Sequence, residues 1–120
     1  DTRNGIGNFR GVVNVGSLWS NGNVTAFSDR RLKENITPID NPMDRLEKLN
    51  GVTFTRNDLN DAERTYVGLI AQDVLEAMPE AVDVKEDENS TLGVDYQGLV
   101  GLLVEAIKEL NNRIDKLERI

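Results

Sequence analysis

Towards the end of the chain, apolar residues recur at alternating intervals of three and four: Val100, Leu103, Ile107, Leu110, Ile114 and Leu117. That interval is the seam of a coiled coil, and it predicts one long helix from Tyr96 to Ile120. With Val100 at an a position, Arg113 falls at g and Glu118 at the next e, where charges pair between chains. Leu99, Leu102, Val104 and Ala106 widen the apolar face early in the helix. The first half should therefore pack on a globular body while the second half meets other chains. The alternative is an amphipathic helix lying along its own domain.

Shorter periods precede it. Thr37-Pro38-Ile39-Asp40 reads as an extended connector, because the residue before a proline avoids the helical region. Asn41 is placed to cap a helix with Pro42 at its first position, Met43, Leu46 and Leu49 on one face and Asn50-Gly51 as the stop. Val52-Thr53-Phe54-Thr55 alternates as a strand, residues 57–64 form a polar hairpin loop, and Thr65 to Leu69 returns. In that strand Tyr66 and Gly68 share one face, Val67 and Leu69 the other. Ala71, Val74, Leu75 and Met78 carry the helical interval, and Pro79 ends it. Val82 to Val84 and Leu92 to Val94 predict a second hairpin, with Lys85-Glu86-Asp87-Glu88 at a solvated tip. Those carboxylates lack the order of a calcium loop. Asp95 is placed to cap the last helix. The class is α+β: short strands and hairpins, two short helices, and the long C-terminal helix.

Residues 1–27 follow another pattern. They hold five of the ten glycines, no Lys and no Glu, with short apolar stretches at Val12-Val13, Val15, Leu18-Trp19 and Val24. Asn and Gly between β-formers predict narrow strands and tight turns, a β-rich end of a larger structure upstream. So little apolar content closes no core alone, and strands stacked between identical chains would supply the burial. A flexible linker is the alternative.

Charge sharpens the division. The chain carries a net −7, with residues 1–27 at +1 and the remainder at −8. That balance argues against a nucleic-acid surface. No apolar run is long enough to span a membrane, and the first residues do not read as a signal peptide. With no Cys and no His, disulfides, thiolate chemistry and the commonest general base and metal ligand are excluded; no metal or other cofactor is expected. Catalysis would rest on Ser, Thr, Lys, Tyr or carboxylates.

The two compositions meet at Ser28-Asp29-Arg30-Arg31-Leu32-Lys33-Glu34-Asn35-Ile36. Ser28 and Lys33 can form a nucleophile–base pair, because a neutral lysine amine can take the proton of a serine hydroxyl. Bringing a lysine from about 10.4 to near 7 requires roughly 4–5 kcal/mol of bias against the charged form. Arg30 and Arg31 could supply part by like-charge repulsion and burial on assembly the rest; ordinary ion pairing with Asp29 and Glu34 is the alternative. A regular strand puts residues five apart on opposite faces, and a helix puts them about 140° apart. The chain must turn or bulge between them, or neighbouring subunits must each contribute one.

Three stretches, Ser28 to Ile36, Tyr66-Val67-Gly68-Leu69-Ile70-Ala71-Gln72-Asp73-Val74, and Asp95-Tyr96 leading into Leu102 to Leu110, carry a family resemblance. Together they resemble the C-terminal intramolecular chaperone, or self-cleaving domain, of bacteriophage tail fibres, tailspikes and endosialidases. The resemblance covers residues 28–120 and implies a homotrimer that guides an upstream β-rich trimer into register. It implies release by autoproteolysis at Phe27–Ser28, as a single-turnover serine endopeptidase with Ser28 and Lys33 as the dyad; from their place in the motif, Asp29, Arg30 and Arg31 are candidates to tune or orient it. Residues 1–27 would then end the fibre or tailspike client, the partner within the same chain. Assembly would take place in the bacterial host cytoplasm, leaving the client on the virion tail and the chaperone fragment free. β-branched a and leucine d residues favour two strands in isolated parallel peptides, whereas the resemblance implies three. A permanent, non-catalytic trimerisation cap is the alternative function. A transcription factor carrying the same module would need a basic region that residues 1–27 do not offer.

Overall fold

Pro42 fixes the first turn of α1 (Pro42–Glu47), as its ring and missing N–H favour. The computed structural model describes residues 5–119. These divide into two units, with the boundary between Ile36 and Thr37. The second unit holds all the regular elements except one turn. After α1 come β1 (Val52–Phe54), β2 (Tyr66–Gly68), α2 (Ala71–Ala77), β3 (Val82–Val84), β4 (Leu92–Val94) and α3 (Leu99–Glu118). The strands form two separate antiparallel hairpins, β1–β2 with Phe54 opposite Tyr66 and β3–β4 with Val84 opposite Leu92. This is the α+β arrangement that the periodicities predict.

The core is small. Val74 from α2, Ala81 from the turn after it, and Leu99 and Leu102 from α3 are buried together. Ile39, Leu49, Leu69, Met78, Val82 and Val94 pack around them, so the core draws on segments from the connector to α3. Arg45 ties the connector down. Its Nε donates to the Asp40 carbonyl at 2.8 Å, its Nη2 to Asp40 Oδ1 at 2.7 Å, and its Nη1 to the Ala77 carbonyl at 2.9 Å. Tyr96 does the same for the first hairpin, accepting from the Leu69 N–H at 3.0 Å. The hydroxyl lies where a side chain on residue 68 would begin: a Cβ there would sit 2.6 Å from it. Gly68 is required by that close approach.

Four expectations change in detail. Asn41 does not cap α1 through its side chain; it adopts a left-handed conformation (φ 48°), which asparagine tolerates, and its amide turns to Asp40. On α2 the buried face runs through Val74 and Ala77, with Leu75 44% exposed. The long helix starts at Leu99 rather than Tyr96. Asp95 caps the turn before it, accepting from Gly98 N–H at 3.1 Å. The predicted helix end at Ile120 and the first four residues of the β-rich stretch lie outside the described residues.

The largest departure is in the first unit. Among the described residues before Ser28, no strand forms, and every side chain from residue 5 to 38 is exposed. The β-rich reading therefore has no counterpart among residues 5–27. An isolated strand has neither a ladder for its N–H and C=O groups nor a face to bury.

Candidate functional site

Arg30-Arg31-Leu32 forms a single 3-10 turn, the only regular element among the described residues of the first unit. Asp29 initiates it. Its backbone is extended (φ −62°, ψ 134°), and its Oδ1 accepts from Arg31 N–H at 2.9 Å, the local bond by which an aspartate mimics a backbone turn. The Leu32 and Lys33 N–H groups then donate to the carbonyls of Asp29 and Arg30, each at 3.0 Å. Lys33 returns to extended backbone (φ −119°, ψ 145°), and two residues on Asn35 bends the chain through a left-handed conformation.

The turn brings the sequence-predicted pair together. Lys33 Nζ lies 2.6 Å from Ser28 Oγ, donating to the hydroxyl, with both residues exposed. Neither regular strand nor regular helix could have done this at a spacing of five. Of the alternatives left open, the turn is the one adopted, and it is made within one chain. Phe27, on the other side of Ser28, is 95% exposed.

The neighbouring charges are arranged unequally. Asp29 grips the Arg31 guanidinium through both oxygens, with Nε at 3.1 and 3.2 Å and Nη2 at 2.8 Å. The Arg31 side chain and backbone N–H hold the Asp29 carboxyl below its ordinary value of 3.8, and the carboxylate raises Arg31 in turn. Arg31 is thus compensated locally, which weakens it as a source of repulsion toward Lys33. Arg30 lies within the turn and makes no such pair.

The six seam residues of α3 stay on the surface. Val100, Leu103, Ile107, Leu110, Ile114 and Leu117 are between 44% and 69% exposed, while Leu99, Leu102 and Ala106 point into the body. Val104 stays half exposed, on the seam's side of the helix rather than the body's. Arg113 pairs along its own helix with Glu109 at 3.2 Å, the i,i+4 neighbour available without a second chain.

Two features were not read from the sequence. An apolar groove of about 450 Å³ is lined by Leu46, Leu49, Val67, Leu69, Tyr96 and Leu103. No interval announces it, because it is assembled from three separate stretches of the chain. At the start of β2, Tyr66 stacks on Phe54 at 5.9 Å, lies under the Arg64 guanidinium and donates its hydroxyl to Asp61 in the polar loop. The Asp61 bond, then burial, push the Tyr66 phenol above its ordinary value of 10. No helix among the described residues is long and apolar enough to cross a membrane.

Comparison with known proteins bears on the same stretch. Residues 28–83 match the family described as chaperone of endosialidase, and the match begins at Ser28. The chain is 41% identical over 112 residues to the long tail fiber protein Gp37 of Enterobacteria phage K3, covering 86% of this chain and 9% of that protein. Against Gp37 of Enterobacteria phage T2 the identity is again 41% over 112 residues, 86% of this chain and 8% of the relative. Gp37 of Enterobacteria phage M1 is 31% identical over 113 residues, 86% of this chain and 45% of the relative. The chain thus spans less than a tenth of the length of the first two.

Proposed function

We propose, from the premise that residues 28–83 of this chain belong to the chaperone-of-endosialidase family, that it is the C-terminal chaperone of a phage tail fibre. On this reading it releases itself by cutting Phe27–Ser28. The observation that carries the proposal is the 2.6 Å approach of Lys33 Nζ to Ser28 Oγ across the turn. The amine is within reach of the proton it would have to take.

The reaction follows from the connectivity. Ser28 Oγ, losing its proton to neutral Lys33, attacks the Phe27 carbonyl through a five-membered ring. The C–N bond breaks as the Ser28 nitrogen takes up a proton, leaving an ester between Phe27 and the serine oxygen. Water then attacks the ester, the C–O bond breaks, and the Phe27 carboxylate and the Ser28 hydroxyl are regenerated with a free amine at Ser28. A neutral lysine requires water to be kept away from it, and in one chain both side chains are exposed. We therefore assign the shielding to assembly, which makes release wait for the trimer.

The exposed seam of α3 supports an assembling role, since a continuous apolar stripe on a surface marks an interaction site. Three chains suit a client whose register the domain must set, with residues 1–27 as the client's end. Fewer than three heptads cannot dictate strand number against globular bodies that also choose it. The tail fibre relatives support a place on the virion tail for the client. Intact mass measured on the expressed chain and on Ser28→Ala tests the reading. Cut wild type beside uncut Ser28→Ala is the expected result. Uncut wild type in an assembled trimer would make the domain a permanent cap.

A further inference from the structure

We infer that Asp29 is a positioning residue for the self-cleavage, acting by holding the turn that delivers Lys33 to Ser28. The inference rests on the serine–lysine reading above and concerns what makes that pair meet. The stretch from Ser28 to Lys33 is exposed throughout, so no burial of its side chains fixes its shape. Its form depends on a few local hydrogen bonds, and a lone 3-10 turn is too short to be stable by itself.

Asp29 makes most of those bonds. Its carbonyl accepts from Leu32 N–H, its Oδ1 from Arg31 N–H, and both its oxygens from the Arg31 guanidinium. The carboxylate is bonded to Arg31, and the Ser28 hydroxyl has its hydrogen bond from Lys33. Asp29 therefore touches neither the proton nor the scissile carbonyl. Arg31, in this arrangement, braces the Asp29 carboxylate. Exposed ion pairs are weak, so the bond from Oδ1 to Arg31 N–H carries the larger part.

The test uses the full chain with Asp29 changed to Ala, Asn or Ser, in otherwise wild-type and Ser28→Ala backgrounds. Asn and Ser keep an oxygen able to accept from Arg31 N–H, and Ala keeps none. In the cleavable background, Asp29→Ala should slow release on the order of a hundredfold, the usual cost of a reacting group displaced by about 1 Å. Asp29→Asn and Asp29→Ser should stay within several-fold of wild type. The pH–rate midpoint should fall alike in Asp29→Asn and Asp29→Ala, since both uncover the Arg31 charge, and only the plateau rate should separate them. In the uncleavable background, amide exchange at Leu32 and Lys33 should quicken in Asp29→Ala and not in Asp29→Asn. Wild-type release in Asp29→Ala, or a plateau rate in Asp29→Asn as low as that of Asp29→Ala, overturns the inference. Unaltered exchange in Asp29→Ala also overturns it. Cleavage in the Ser28→Ala background is a different failure: it removes the serine–lysine reading, while the exchange data still report what Asp29 does to the turn.

Discussion

The turn at Ser28–Lys33 and the core around Leu102 are held in opposite ways. The turn is exposed and bonded between residues no more than five apart. The core is buried, and residues as distant as Ile39 and Leu102 pack together in and around it. Local hydrogen bonds give a shape that one side chain can undo without unfolding anything. Non-local burial gives stability that is lost all at once. Chemistry placed on the first kind of structure is open to adjustment by what later surrounds it, whereas chemistry set in a core is fixed once folded.

The sharpest separation of the two is Lys33→Arg. A guanidinium is not deprotonated in proteins, so cleavage should vanish, read as a single uncut mass. The urea midpoint of the body should stay put, since an exposed substitution is usually worth within about 0.5 kcal/mol. Release in Lys33→Arg would end the assignment of Lys33 as base.

Almost as large should be the effect of Leu110→Asp combined with Ile114→Asp. Both positions are exposed in the single chain, so the body should still fold while the assembly falls to monomers by native mass spectrometry at micromolar concentration. Uncut monomer is expected. Clean processing in that monomer would show that the local turn needs no shielding from other chains.

Leu102→Ala strikes the other side of the comparison. Leu102 is fully buried, and its truncation should cost about 2–5 kcal/mol in denaturant unfolding. A loss under 1 kcal/mol would mean that the core lies elsewhere.

Gly68→Ala is subtler. Its Cβ would lie 2.6 Å from the Tyr96 hydroxyl, with the next ring atom at 3.5 Å. We expect a loss of about 1–3 kcal/mol from the clash. It should shrink when Tyr96→Phe is already present, as the obstructing oxygen is then gone. Additive losses in the double variant would refute a direct clash.

The smallest effects concern pH. At the tip of the second hairpin, Thr91 (through its N–H, then its hydroxyl) and the Asn89 N–H lower the Asp87 carboxyl below 3.8. A depressed carboxyl stabilises fully above its unfolded value of about 3.9, and that contribution fades as pH falls through the lower folded value. Tyr66 has the opposite sign. Its raised phenol stabilises below about 10, and that is lost as pH rises through the folded value. Melting temperature against pH should therefore droop slightly at both ends. Asp87→Asn should flatten the acid arm and Tyr66→Phe the alkaline one.

Several features were decided by the sequence alone, because they depend on neighbours along the chain. Pro42 sets the start of α1, Pro79 stands just past the end of α2, the alternation around Val67 sets the strand faces, and the odd spacing of Ser28 and Lys33 demands a turn. Intervals, caps and breakers act within a few residues, and those are legible without coordinates. Which turn it would be was settled by local hydrogen bonds to Asp29 that the spacing alone does not reveal. Tertiary structure decided that α3 gives Leu99, Leu102 and Ala106 to the body and leaves the stripe from Val100 to Leu117 outside. A helix wide enough in apolar residues can bury either face, and only the surfaces offered by α1 and α2 choose between them. Residues 5–27 mark the limit of both: their pattern favours strands, but a strand's free energy lies in a neighbour's hydrogen bonds and side chains, and none of these described residues forms a strand.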